Sequence, residues 1–497
     1  MLGLPEIVGP YPVGATTFVV QAKRPLVIGS SRVRGSTSAI PSALGEIQPA
    51  LKLEEIAFTA FYPAQTDEGR HGWLGWLASK PKRGLDWLIR PIHETLEGYH
   101  HFGGTPYPAW LGAVIRPALT IGGSFIKIPV YVNAPLLAPE DKSWPLVIFS
   151  HGLSGSRTTY SHICQRMAST GRVVLAIEHR DGSGPAVFPR SSDSGQIYTK
   201  YYIKPEEVIW PPEMDMNSDP LRLRDDQLEF RRHEIYAAYS AFKVALETPS
   251  ASRPSSASEA SHGLRTIDGS RIDWASWYRK SDTNSLPQVN CDDFVLTGHS
   301  FGGATVFSVL SHPPPSPSIL SSDGSDAYQT LPIRSAVIQD PWLEPIPDPG
   351  PVPYQPRLGS SIATPKLLVL QSEGFTLWRT HFERLRKTVK HWKGGRVLTL
   401  VRAQHISFSD FPLLIPDRFN DTPALPLAQL IDRLVLAFLD GKMDMDNGEE
   451  QPNLHLGDEM QDIRTRPMEV VKSESRTHDS YGWKDKLVGE PGDVVVH

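Results

Sequence analysis

Short runs of apolar residues recur along the chain, separated by stretches long enough to form helices. The runs are Leu146-Val147-Ile148-Phe149, Val173-Val174-Leu175-Ala176-Ile177, Phe294-Val295-Leu296, Ala336-Val337-Ile338, Leu367-Leu368-Val369-Leu370 and Val397-Leu398-Thr399-Leu400-Val401. Because successive positions are apolar, neither face suits water, which fits buried parallel strands better than half-exposed hairpins. Helices are predicted between them over 159–170, 223–246 and 300–310, and a closing helix over 425–439. Strand and helix alternate. The expected class is therefore α/β, an open and mostly parallel sheet with helices on both faces.

Three regions depart from this pattern. Residues 249–262 are rich in Ser, Ala and Pro, and 312–325 contain Pro313-Pro314-Pro315; both read as loop insertions. Beyond about residue 440 the chain turns polar and acidic, so 1–440 is expected to be one domain and 441–497 a weakly ordered tail. Near 70–100, Trp73, Leu74, Trp76, Leu77, Trp87, Leu88 and Ile89 alternate with Lys80, Lys82, Arg83 and Arg90. Tryptophan beside basic residues suits a peripheral membrane contact through Trp73, Trp76 and Trp87, and suits equally a segment covering a sheet edge.

Composition narrows the partners. With 40% hydrophobic and 21% charged residues, the 497-residue chain can bury a sizeable core. A net charge of −5 offers no basic field for nucleic acid. Cys164 and Cys291 lie in no metal-type spacing, and the start of the chain lacks the basic-then-apolar pattern of a signal peptide. No apolar stretch approaches a membrane span. The expected location is cytoplasmic, with peripheral contact at a membrane surface, and with no cofactor or metal; no oligomeric state is implied.

The strongest chemical signal is Gly298-His299-Ser300-Phe301-Gly302, directly after the apolar strand at 293–297. This is G-x-S-x-G on a strand-to-helix turn, the nucleophile elbow of α/β-hydrolases; a bend this tight needs small neighbours and projects the serine at the carboxyl end of the sheet. Ser300 is therefore the candidate nucleophile, and a plain helix cap is the bland reading. A serine hydroxyl needs a base within hydrogen-bond reach, and in this architecture the base comes last in chain order. Of the downstream histidines, only His405 follows a clear late strand. His312 sits in a proline-rich loop, His381 and His391 on a basic helical stretch, and His455, His478 and His497 in the polar tail. Asp340 and Glu373 each end a strand between Ser300 and His405, and either could orient the imidazole. For the oxyanion hole, the Phe301 amide follows the nucleophile, and the glycine-containing loop Ser150-His151-Gly152-Leu153 offers the Leu153 amide.

Phe149 to Gly184, with its HGL and EHRDGS motifs, together with Gly298-His299-Ser300-Phe301-Gly302-Gly303 and His405-Ile406-Ser407-Phe408-Ser409-Asp410-Phe411, resembles the platelet-activating-factor acetylhydrolases of the plasma and type II intracellular branch. Gly9-Pro10-Tyr11, Phe61-Tyr62-Pro63 and Gln371-Ser372-Glu373 match as well. The resemblance places the acid on Asp340 rather than Glu373, and the oxyanion donors on Leu153 and Phe301. It implies calcium-independent hydrolysis of the sn-2 ester of phospholipids bearing an acetyl, short or oxidised acyl chain. A carboxylesterase or polyester-type hydrolase using the same residues is a second reading, and a catalytically inactive scaffold binding lipid or protein a third.

Overall fold

A computed structural model describes residues 3–34, 46–66, 82–104, 109–140, 143–212, 221–247, 263–280, 285–322, 327–355, 363–392, 394–420, 422–444, 455–456, 461–472 and 485–497. Trp73 and Trp76 lie outside them, as does the 249–262 insertion. The chain divides into two compact units, Met1–Asp292 with Pro314–Leu331, and Asp293–Pro313 with Pro332–His497. No change of composition marks these crossings, because both units are built from the same alternation of apolar strands and helices.

The first unit contains β1 (Val13–Val27), β2 (Lys52–Pro63), β3 (Lys82–Asp86), β4 (Lys127–Val132), β5 (Trp144–Ser150), β6 (Val173–Glu178) and β7 (Leu264–Thr266). Strands β5 and β6 pair in parallel, β6 and β2 antiparallel, and β2 and β1 antiparallel along most of their length. Helices α1 (Ile92–Gly103), α2 (Ala109–Ser124), α3 (Ser161–Ser169) and α4 (Arg222–Glu247) accompany them. The predicted strands at 146–149 and 173–177 and the helices at 159–170 and 223–246 are present.

Strand β2 escapes the apolar-run pattern because Lys52, Glu54 and Glu55 interrupt it. These carboxylates are buried yet paired. Glu54 meets Lys52 at 2.8 Å, and Glu55 meets Arg180 and Arg265. Buried acids require such partners.

Trp87 corrects an expectation. Its side chain is only 4% exposed and its carbonyl accepts a hydrogen bond from the Thr158 hydroxyl at 2.7 Å, so its ring is packed inside this unit rather than turned toward lipid. Cys164 and Cys291 are buried thiols that form no disulfide. Among the described residues no helix is long and apolar enough to cross a membrane.

The second unit is carried by β8 (Val289–His299), β9 (Ile333–Gln339), β10 (Lys366–Ser372) and β11 (Arg396–Leu400). They run parallel in that order, with Leu296 beside Ala336, Ile338 beside Val369 and Leu370 beside Leu398. Helices α5 (Phe301–Ser311), α6 (Glu373–Leu377), α7 (Arg379–Val389) and α8 (Ala424–Leu439) connect or flank these strands. Described residues of the tail join this sheet. The short strand β12 (Thr465–Arg466) pairs with β13 (Val494–Val496), which extends the sheet antiparallel to β11 and buries Val494 and Val495 completely. Three successive valines carry this edge, a signal hidden by the polarity of the stretch around them.

Several imidazoles are buried neutral. Burial lowers His151 to about 3 and His162, His233, His381 and His497 to about 4. From the usual histidine value of 6.5 down to these values, the unfolded chain binds more protons, so stability is lost as pH falls through that window. Asp226, raised to about 6 by burial, and Glu234, which burial raises well above the usual carboxylate range, act in the opposite direction. Five imidazoles outweigh two carboxylates. The melting temperature is expected to be lower at pH 5 than at pH 7; an equal or higher value at pH 5 would show that these rings are not neutral in the folded chain.

Candidate active site

Ser300 stands between β8 and α5 with φ 59° and ψ −119°, a left-handed backbone that side-chain-bearing residues avoid. Surrounding hydrogen bonds hold it there. Its N–H donates to the Gln339 carbonyl at 2.9 Å, and its own carbonyl accepts from Trp342 and Ala304 at 3.0 and 3.1 Å. The small-residue run has a specific cause at Gly303. A Cβ there would come within 2.8 Å of Ile338 Cγ2 and 2.9 Å of Pro341 Cα, so α5 could not pack this close to the end of β9. The elbow read from the sequence is thus a real strained turn.

Asp340 follows β9, fully buried and with φ 41°. One carboxylate oxygen accepts the Ser372 N–H at 2.6 Å, and the other lies 3.0 Å from His405 Nδ1. His405 follows β11 and opens a 3-10 turn, His405–Phe408, closed by the Gln404 N–H donating to the Ser407 hydroxyl at 3.0 Å. Its Nε2 is 2.9 Å from Ser300 Oγ. With the proton on Nδ1 directed at Asp340, Nε2 is left to accept the Ser300 hydroxyl proton. The side chains of Ser300, His405 and Asp340, spread over 105 residues of sequence between the first two, form one hydrogen-bonded chain.

Glu373, the competing acid, does other work. It accepts from the Arg402 guanidinium at 2.9 and 3.0 Å, from the Arg402 N–H at 2.7 Å and from the Leu487 N–H at 3.0 Å. Its carboxylate is occupied at the base of the His405 loop.

Three aromatic groups around His405 were not singled out in the sequence for this place. Phe375 stacks on its ring with centroids 4.4 Å apart and planes 4° apart, and His299 lies 4.5 Å away. His381, on the basic helical stretch, is buried, stacks on Trp378 and accepts the Leu343 N–H at 3.2 Å. Burial holds His299 well below the usual histidine range, with His405 a lesser cause, and lowers His381 to about 4. Both rings are neutral at pH 7, so neither opposes an imidazolium at His405. His299 was available as the variable position of the elbow motif. Phe375 carried no signal, because nothing in Ser372-Glu373-Gly374-Phe375 reveals which ring it will face.

Phe301 is the first residue of α5, where the helix dipole is positive. Leu153 belongs to the first unit, in the half-buried turn after β5. That turn is fixed by Ser154 N–H donating to the Ser183 carbonyl at 2.8 Å and by Arg231 donating to the His151 carbonyl at 2.8 Å. Arg231 is in turn paired with Asp181 at 2.7 Å, both side chains fully buried.

A serine on a strand-to-helix elbow, in a mostly parallel sheet flanked by helices, places the protein among the α/β-hydrolases, and it is a carboxylic ester hydrolase. Residues 2–460 match the model of the family described as platelet-activating factor acetylhydrolase, isoform II, and the chain belongs to that family. It is 29% identical over 359 residues to the platelet-activating factor acetylhydrolase of Gallus gallus, covering 72% of this chain and 69% of that one. It is 26% identical over 353 residues to the acetylhydrolase of Canis lupus familiaris, where it spans 62% of the relative's length, less than two thirds. A putative phospholipase A2 of Schizosaccharomyces pombe is 26% identical over 428 residues, 80% of each chain. Among solved structures, a ferulic acid esterase from Streptomyces cinnamoneus superposes with a TM-score of 0.45 and 16% identity, over 91% of this chain and 96% of that one.

Proposed function

We propose that the chain is a serine esterase that hydrolyses the sn-2 acetyl, short or oxidised acyl ester of phospholipids without calcium. The observation that carries this reading is the pair of distances from His405, 2.9 Å to Ser300 Oγ and 3.0 Å to Asp340 Oδ2. In the proposed reaction His405 takes the hydroxyl proton as Ser300 Oγ attacks the ester carbonyl, and Asp340 holds the ring and stabilises the imidazolium. The Phe301 amide, at the positive end of α5, receives the oxyanion charge. His405 then protonates the leaving lysophospholipid hydroxyl, and the acyl-enzyme is cleaved by a water that the same ring deprotonates.

Family membership supports this substrate class. Delivery from a lipid surface is supported by Leu119, Ile121 and Phe125, which remain 48, 63 and 68% exposed in and just after α2. The test is an acyl series at the sn-2 position presented in phosphatidylcholine vesicles, beside monomeric p-nitrophenyl acetate. Acetyl and short chains should turn over far faster than long ones, and Ile121→Ser with Phe125→Ser should slow only the vesicle reaction. Equal rates along the series would favour a general carboxylesterase. An unchanged vesicle rate in the double variant would remove α2 as the lipid contact.

A further inference from the structure

Residues 461–497 lie beyond the family-matched stretch 2–460, yet the last thirteen of them are built into the unit that carries Ser300, Asp340 and His405. Leu487 and Val495 are fully buried in one apolar cluster with Val401 and Leu377. The Val401 N–H donates to the Asp493 carbonyl at 2.9 Å, and the Gly492 N–H donates to the Val401 carbonyl at 3.1 Å. Next in sequence, the Arg402 guanidinium donates to the Leu487 carbonyl at 2.9 Å and to the Gly489 carbonyl at 3.4 Å.

Arg402 has φ 62°, a left-handed conformation that an arginine adopts only under constraint. Glu373 completes the hold. Its carboxylate takes both the Arg402 backbone and guanidinium and the Leu487 N–H, while its own N–H donates to the Ala403 carbonyl at 3.0 Å. Val401, Arg402 and Ala403 form the path from β11 into the turn that presents His405, and each is tied to Glu373, to 485–497 or to both.

We propose that residues 485–497 are a clamp that positions His405, with Arg402 as its positioning residue, so that turnover depends on a segment outside the family match. This rests on the reading of His405 as the general base. Arg402 touches no reacting atom; it fixes the backbone from which the imidazole projects. Displacing a catalytic group by about 1 Å costs on the order of 100-fold in rate, so releasing the clamp affects kcat rather than the affinity for a small ester.

The experiment compares the full chain, a chain ending at residue 484, and Arg402→Ala. kcat and KM on p-nitrophenyl acetate are expressed per serine titrated exhaustively with a fluorophosphonate, so that misfolded molecules do not enter the rate. The expected result is a loss of about 10- to 100-fold in kcat for both variants, with KM changed by about twofold or less. If either variant keeps the full chain's kcat per titrated serine, or raises KM while kcat holds, the clamp is overturned. A full chain that neither turns over nor titrates sinks the esterase reading and the clamp with it. Normal turnover in the full chain together with unaffected variants sinks the clamp alone.

Discussion

Ser300→Ala is expected to reduce turnover of p-nitrophenyl acetate to background, a loss on the order of 10⁶-fold, the size seen when the nucleophile of such a unit is removed. The substitution deletes the oxygen 2.9 Å from His405 Nε2 and leaves the elbow's backbone hydrogen bonds to Gln339, Trp342 and Ala304 in place. The melting temperature should therefore move little. The strained φ of 59° is set by that backbone network and by the close packing at Gly303, neither of which involves the hydroxyl. Turnover near the wild-type rate would remove Ser300 from the reaction.

The second large effect is expected at the acid. Asp340→Asn should cost about 10⁴-fold in kcat, because an amide nitrogen facing Nδ1 favours the imidazole tautomer that cannot accept the serine proton. The buried carboxylate also accepts the Ser372 N–H, so part of the geometry survives the change. Glu373→Gln is expected to cost only about 10-fold, through a loosened Arg402 and not through the tautomer. Comparing kcat of the two variants checks the assignment. A larger loss in Glu373→Gln would mean that the acid is misplaced.

The parallel strands of the second unit were legible because their apolar runs need no polar face, and each of the four ends where a site residue or its support begins. Ser300 and His405 could be read from order alone: a serine between glycines after one strand, a histidine after the last. Choosing between Asp340 and Glu373 was beyond the residues themselves. Both end strands with a carboxylate, and only the fold reveals that one faces Nδ1 and the other an arginine. Strand β2 was hidden because buried charge broke its apolar pattern, and the ion pairs that make the burial possible come from remote positions such as Arg180 and Arg265. Trp87 left two readings open for a related reason. An aromatic ring beside basic residues reads the same whether it faces lipid or a neighbouring strand. The role of 485–497 was masked by average polarity, since a few valines and one leucine are enough to close a sheet edge when Arg402 and Glu373 supply the polar contacts.

The most direct test is to label the full chain with a fluorophosphonate and locate the adduct by peptide mass spectrometry. The account predicts stoichiometric modification of the peptide containing residue 300, at a rate that drops sharply in His405→Gln. An adduct on a different serine, or labelling that ignores the loss of the imidazole, would contradict it.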